Sequence, residues 1–271
     1  MPELPEVETT RRGIAPAIVG RRIHSLVLRS RRLRWPIPRR LPGRLAGARI
    51  QALRRRAKYL LLVTDRGTAL IHLGMTGSIR LIFEDQAPKK HEHFDIVVEN
   101  GPILRFHDPR RFGSLLWAGA RPERHPLLSG LGPEPLGEDF HGDYLYAVSR
   151  GRRVSIKPFL MNSRIVVGIG NIYASEALFR AGIHPRRPAG RISLQRMRRL
   201  ADAVRAVLNE SLRSGGTTLR DFYAGDGRPG YFAQRLRVYE RAEAPCPACA
   251  TPIRQEVIGQ RSSYFCPRCQ R

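Results

Sequence analysis

The chain has 271 residues, with 48 Lys and Arg against 23 Asp and Glu, a formal charge of +25 and a pI of about 11.4. That length allows a sizeable core and two domains. The charge lies in both halves, with 25 basic and 11 acidic groups in residues 1–130 (net +14) and 23 and 12 in residues 131–271 (net +11). A basic tail on a neutral enzyme is therefore excluded, and a polyanion, most often nucleic acid, is the expected partner. The competing explanation is a solvated surface of biased composition: only Lys58, Lys89, Lys90 and Lys157 are lysines, although Arg is also the better phosphate fork. No apolar run reaches the length of a membrane span and the acidic start is not a secretory signal, so a cytoplasmic protein is expected. There, four cysteines read as metal ligands rather than disulfides.

In chain order, residues 3–19 read as a helix with Leu4, Val7, Ile14 and Ile18 on one stripe, ended or bent by Pro16 and closed by Gly20. Strand-like runs follow at 23–28, 48–53, 58–64, 68–75, 78–83, 93–98, 103–107 and 112–118. Asp65-Arg66-Gly67 and Asn100-Gly101 are hairpin turns. Many short strands with tight turns predict an antiparallel sandwich or barrel over residues 1–130. Residues 121–142, rich in Pro and Gly, read as a linker. Helices are then predicted over Asp143–Ser149, Ser155–Asn162, Asn171–Ala181 and Ser193–Ser214, followed by a polar, Gly-rich loop at 217–235 and a Cys-rich hairpin in a third segment, 236–271.

The first ten residues, MPELPEVETT, organise the reading. Loss of Met1 would leave Pro2 with a secondary amine titrating near pH 8, partly unprotonated and able to form an iminium, with the Glu3 carboxyl beside it. On these ten residues alone the ordinary reading, a capped helix start, prevails. At the other end stand Cys246-Pro-Ala-Cys249 and Cys266-Pro-Arg-Cys269, two knuckles that can close a tetrahedral thiolate cage around one structural zinc ion. The strands between them carry Arg261 at a hairpin tip, suited to a narrow groove and its phosphates. Gly168-Ile-Gly-Asn171 opens a helix with Asn171 in the cap position, a weak phosphate site, and Lys157 starts a short helix just before it. In Asp108-Pro-Arg110-Arg111-Phe112-Gly113, Phe112 could unstack a base step, but locally a core Phe beside surface arginines is the commoner arrangement. Met75 by itself reads as core. His91-Glu92-His93 reads as a turn into a strand, with His91 facing phosphate, rather than as a second metal pair.

These motifs in this order resemble the formamidopyrimidine-DNA glycosylase family: MPELPEVET, KYLL at 58–61, HLGM at 72–75, DPRRFG at 108–113, GIGNIYASEALF at 168–179, DGRPGYFAQ at 226–234 and the paired C-x2-C, from Met1 to Arg271. The resemblance implies an α+β multidomain fold. It has a catalytic antiparallel β-sandwich with a leading helix at 1–130, and a helix–two-turns–helix DNA-binding domain at 131–235 that includes a lesion loop at 217–235. A zinc finger occupies 236–271, and damaged duplex DNA lies between domains. It implies a bifunctional glycosylase and abasic-site lyase for oxidised purines, monomeric and with no obligate protein partner. Pro2 is then the nucleophile and Glu3 the acid that opens the sugar. Lys58, on a strand, is the catalytic and phosphate-contacting lysine. Met75, Arg110 and Phe112 fill the gap left by the flipped base, and Arg110 faces the orphaned cytosine. Lys157, Asn171 and Arg261 hold phosphates, Arg261 also serving as acid in the last elimination. His91, Arg152 and Arg153 fall at further DNA-binding positions. One departure is Asn162, where the family commonly has Asp; it bears on a local helix cap.

Two readings from other classes compete. A non-catalytic zinc-dependent damage-binding protein would need neither Pro2 nor Glu3, and an RNA-binding zinc ribbon would need more aromatic surface than 7%. Among enzymes, an endonuclease VIII-type glycosylase for oxidised pyrimidines is the alternative.

Overall fold

The computed structural model describes residues 2–84, 86–216 and 236–271. The loop expected at 217–235, with its motif at 226–234, and Met1 lie outside them. The chain divides into two compact units, one holding the chain up to Ser129, the other holding Gly130–Arg213 and the chain from residue 236.

The first unit opens with helix α1, Leu4–Ile18. Its N-cap is Glu3, in a reciprocal capping box: the Glu3 carboxylate accepts the Glu6 N–H, and the Glu6 carboxylate accepts the Glu3 N–H at 2.8 Å. Pro16 does not end α1. The helix runs on past it to Ile18, and the chain leaves it only at Val19 and Gly20, the latter at φ +87°. After α1 come β1 (Ile23–Leu28), a short helix α2 (Leu41–Leu45) that the Pro-rich sequence hid, and β2 to β8: Ile50–Arg56, Tyr59–Thr64, Gly67–His72, Ser78–Ile82, Glu92–Val98, Ile103–His107 and Ser114–Gly119. They form two separate antiparallel sheets, ordered β1-β6-β7-β5 and β2-β3-β4-β8, so the unit is a sandwich and not a barrel. Leu26, Phe94, Ile96 and Phe106 of one sheet and Leu53, Leu60, Leu62 and Ile71 of the other fill the core, which α1 joins through Val7, Ile14 and Ile18. On the β1-β6-β7-β5 sheet an ionic ladder crosses the strands, with Asp95, Glu92 and Arg105 buried and Arg29 and Arg80 reaching solvent. Asp95 takes bidentate bonds from Arg29 and Arg105, and Glu92 takes Arg80 at 2.5 Å and Arg105 at 3.4 Å.

The second unit packs α3 (Gly142–Ser149) and α5 (Asn171–Ala181) on the long helix α6 (Leu194–Arg213), with the short α4 (Ile156–Leu160) beside α5. Met197, Leu200, Val204, Val207 and Leu208 of α6 are buried at helical spacing. The residues predicted as a linker, 121–142, hold one 3-10 turn, Pro122–Arg124, and already contribute Phe140 to a core. The final hairpin, β9 (Arg254–Ile258) and β10 (Arg261–Phe265), turns through Gly259 and Gln260, both at positive φ, the backbone of a two-residue turn. Among the described residues no helix is long and apolar enough to cross a membrane.

Candidate nucleic-acid interface and metal centre

Antiparallel pairing sends alternate connections to opposite ends of the sandwich, and seven of the sequence-predicted residues, Pro2, Glu3, Lys58, Met75, His91, Arg110 and Phe112, fall at or beside the end where α1 begins. Pro2 is buried there, next to Glu3 and Glu6, 2% and 3% exposed. Arg56 pairs with Tyr59, so Ala57 and Lys58 form a two-residue turn. Lys58 therefore lies in a turn and not on the strand that was expected; a strand residue there would lose its partner across the hairpin. Arg55 ties this turn to α1, since its guanidinium donates to the Ala57 carbonyl at 2.9 Å and to Glu8 at 3.2 Å. Burial raises the Glu8 pKa, but Arg11, Arg12 and Arg55 outweigh it and hold the carboxyl below the usual range. His72, the last residue of β4, is driven down to about 4 by burial first and then by the charges of Lys58 and Arg34, so its imidazole is neutral at pH 7. Its Nδ1 accepts the Gly74 N–H at 3.0 Å.

Met75 and the Arg110–Phe112 segment stand on two loops joined by Asp108, which is wholly buried. One Asp108 carboxylate oxygen accepts the Thr76 hydroxyl at 2.7 Å and the other the Gly113 N–H at 2.7 Å, while its carbonyl meets His93 Nε2 at 2.8 Å. The loops touch so closely that a Cβ on Gly74 would lie 2.5 Å from the Gly113 nitrogen. On this support Phe112 is 42% exposed, with the Arg110 guanidinium 4.7 Å from its ring centre. It is not a core side chain, and Met75 is half-buried. His91, at φ +71°, is held by its carbonyl accepting the Asp108 N–H at 3.0 Å, just before buried Glu92. Sequence reading assigned no role to Asp108, Arg55 or Arg34, whose N–H donates to the Gly113 carbonyl at 3.0 Å; only the Asp-Pro pair that opens a turn hinted at the first.

In the second unit the predicted phosphate ligands meet the zinc-finger hairpin. The Lys157 side chain is 1% exposed, and its ammonium donates to the Ser262 carbonyl and the Ser263 hydroxyl, both at 2.7 Å. Asn171 also donates to the Ser262 carbonyl, at 3.0 Å. Asn171 is not the helix cap: Gly170, in extended conformation, is, because the cap must leave helical backbone and glycine does so without strain. Arg261 stands next to Ser262 and is exposed. Arg152 and Arg153 are exposed in the loop after α3, where the Arg152 carbonyl accepts the Gly190 N–H at 2.9 Å. Asn162 accepts the Arg164 N–H at 3.0 Å, so the turn an Asp would stabilise is made. Glu176, unremarked in the sequence, is buried, and its carboxylate accepts three successive N–H groups, those of Arg237, Val238 and Tyr239, at 2.9–3.0 Å.

The four thiols, none in a disulfide, have Sγ atoms within 4.8 Å of one another. Three of the separations are 3.9, 3.5 and 3.4 Å. Four sulfurs at Zn–S distances of about 2.3 Å lie roughly 3.8 Å apart, so Cys246, Cys249, Cys266 and Cys269 fit one zinc ion. Phe179, Val238 and Ile253 form the small apolar core around them.

Family profiles match along the chain: the formamidopyrimidine-DNA glycosylase N-terminal domain over residues 1–115, the H2TH domain of the same glycosylase over 131–223, and the zinc finger found in FPG and IleRS over 244–271. Formamidopyrimidine-DNA glycosylases of Alkalilimnicola ehrlichii and Nitrosococcus oceani are 60% and 58% identical, with both chains covered in full. The MutM (FPG) crystal structure from Thermus thermophilus superposes with a TM-score of 0.89 at 41% identity, covering 99% of this chain and 98% of that one. A Lactococcus lactis FPG variant in complex with Fapy-dG-containing DNA reaches 0.93 at 32% identity, with both chains fully covered. With its sandwich, helical unit and thiolate cage in the same order as these relatives, the chain belongs to the formamidopyrimidine-DNA glycosylase family.

Proposed function

We propose that this chain is a bifunctional DNA glycosylase and abasic-site lyase of base-excision repair, acting on oxidised purines such as 8-oxoguanine and formamidopyrimidines in duplex DNA. The observation that carries the reading is the convergence, at one end of the sandwich, of buried Pro2 and Glu3 with the Lys58 turn and the loops bearing Met75, Arg110 and Phe112. Solved relatives bound to Fapy-dG and abasic-site DNA support the substrate class.

Chemistry at a glycosidic bond requires the nucleotide to leave the stack, at a cost of a few kcal/mol. Phe112, Met75 and Arg110 offset this by filling the gap, Arg110 offering guanidinium donors to the orphaned cytosine. Lys58, His91, Arg152 and Arg153 grip phosphates. Lys157 and Asn171, bonded to Ser262, act by fixing Arg261 beside the strand. With Met1 removed, the Pro2 nitrogen attacks C1′ and the base departs. Glu3 gives a proton to the ring oxygen as the sugar opens, leaving an iminium. That cation is an electron sink that acidifies C2′: the C2′ proton passes to solvent, its electron pair forms the C2′–C3′ double bond and the 3′ phosphate leaves. Loss of the C4′ proton to solvent then expels the 5′ phosphate, with Arg261 as the acid, and water hydrolyses the iminium to release Pro2. The zinc ion supplies only the fold of the finger. The setting is the cytoplasm, on chromosomal DNA.

Borohydride reduction during turnover of an 8-oxoguanine·cytosine duplex tests the mechanism: the protein–DNA adduct should map to residue 2. Extending the terminus makes Pro2 an amide without a free lone pair, and that protein should bind but neither trap nor cut. An adduct on Lys58 or Lys157 would remove Pro2 from the mechanism; activity confined to oxidised pyrimidines would reassign the substrate.

A further inference from the structure

The end of the sandwich opposite Pro2 carries a second concentration of positive charge. Four segments there are 19–22 after α1, 44–49 from the last residues of α2 to β2, the Asp65-Arg66 turn between β3 and β4, and 99–101 between β6 and β7; the chain leaving β5 at Phe83 and Glu84 and leaving β8 at Ala120 and Arg121 lies at the same end. Arg21, Arg22, Arg44, Arg49 and Arg66 are all exposed on the four segments. On these segments stand Asp65, whose carboxylate accepts the Arg49 N–H at 2.9 Å, and Glu99, so the four carry a net +3, and Glu84 and Arg121 beside them offset one another.

The arginines are held in place, and not by carboxylates. Arg22 donates to the Gly47 carbonyl at 2.9 Å, Arg49 to Gly20 at 3.0 Å, Arg66 to Ala46 at 2.7 Å and Arg21 to Asn100, while Arg44 lies 5.3 Å over the Trp117 ring. Among the described residues none of the five forms an ion pair, whereas Arg11, Arg12, Arg29, Arg55, Arg80 and Arg105 of the same unit all do. A guanidinium fixed by a backbone carbonyl keeps its full charge and has already lost much of its side-chain freedom, which favours phosphate. Helix α1 spans 15 residues, so its two ends lie roughly 22 Å apart, about one duplex width. Val19 is the one large exposed apolar side chain on these four segments, and Phe83, 76% exposed, follows β5 at the same end; an acidic protein is therefore the alternative occupant that the test separates from DNA.

We infer that this end of the sandwich binds the phosphates of a second duplex segment, so that the protein passes directly from one DNA to another without first dissociating. The inference rests on duplex DNA being the substrate but not on the chemistry at Pro2. Five phosphate contacts would give second-segment binding a log–log salt slope of roughly −4 to −5.

The test is release of protein from a labelled, non-cleavable tetrahydrofuran duplex as unlabelled competitor duplex is increased. The apparent dissociation rate should rise in proportion to competitor. In a protein with Arg21→Gln, Arg22→Gln, Arg44→Gln, Arg49→Gln and Arg66→Gln it should become flat and at least threefold slower at the highest competitor. Release without competitor and single-turnover excision should be unchanged, and the excision rate reports separately on the proposed activity. The corresponding Arg→Lys set keeps the charge without the fork and should retain most of the slope. If the Gln set melts early, the pair Arg44→Gln and Arg66→Gln should still lower the slope about twofold. A competitor-independent rate in the unaltered protein, or a slope that survives in both Gln variants, overturns the inference. So does polyglutamate of equal charge releasing the labelled duplex as fast as DNA does, which would make this an acidic-protein surface.

Discussion

Phe112 sits in a sequence context that favours a core position, yet the fold leaves its ring 42% exposed under the Arg110 guanidinium. An exposed ring adds little to stability, so Phe112→Ala should change the unfolding free energy by no more than about 0.5 kcal/mol. Excision from duplex DNA should fall by an order of magnitude or more. Parallel thermal melts and single-turnover excision check both, and a large loss of stability with normal excision would make the ring structural. His72 offers a pH test. Its pKa of about 4 in the fold lies below the 6.5 of an exposed imidazole, so the unfolded chain takes up the proton first. Stability is complete above pH 6.5 and is lost as the pH falls towards 4, by about 3 kcal/mol from this group. Urea unfolding at pH 7 and pH 4.5 should show the loss, and His72→Gln should remove most of it. A pH dependence identical in both proteins would mean that other groups carry it.

At the scale of elements, local signals located the helices and hairpins well. The capping box at Glu3 and Glu6, the apolar stripe of α6 and the Gly259–Gln260 turn all follow from neighbouring residues. Two local expectations failed for local reasons: Lys58 is in a turn because Arg56 pairs with Tyr59, and Gly170, not Asn171, caps α5. Of the two outcomes expected of Pro16, ending or bending α1, the first does not occur, since the helix runs on to Ile18. The zinc hairpin is the element most dependent on something outside its own sequence. Its small core leaves the metal to supply most of its stability. Cys249→Ser should therefore lower bound zinc from about one per chain, free Ser262 from Lys157 and Asn171, and weaken DNA binding severalfold, while the sandwich stays folded. Metal analysis together with circular dichroism and a binding titration decides this; full zinc loading with unchanged affinity would exclude a structural cage.

For the whole molecule the dominant quantity is the charge of +25. Many of the arginines near α1 and on the β1-β6-β7-β5 sheet are internally paired: Glu8 binds three, and Asp95 and Glu92 share Arg29, Arg105 and Arg80. The surplus is available for phosphate. With six to ten contacts, binding to a lesion duplex should fall with salt at a log–log slope of roughly −5 to −9. Titrations from low to moderate salt measure it, and a flat response would mean that the charge is only solvated.

The sequence alone determined the family, the order of the parts and the identity of the chemically capable residues, because Pro2, Glu3, the four cysteines and the DPRRFG and GIGN motifs are contiguous signals whose chemistry depends on residue type and short spacing. The strand pattern by itself left sandwich or barrel open, because two sheets can close or stay apart with the same strands; the resemblance implied the sandwich, and the two separate sheets bear it out. Tertiary structure decided that Phe112 is exposed and that Lys157 is buried against a hairpin 105 residues away. Asp108, Arg55 and Glu176 emerged only there. Each carries a charge whose partners are distant in the chain or are backbone N–H and carbonyl groups, and a backbone group leaves no mark in the sequence. The same holds for the arginines at the far end of the sandwich: they are spread over residues 21–66, and only the alternation of antiparallel strands brings them together.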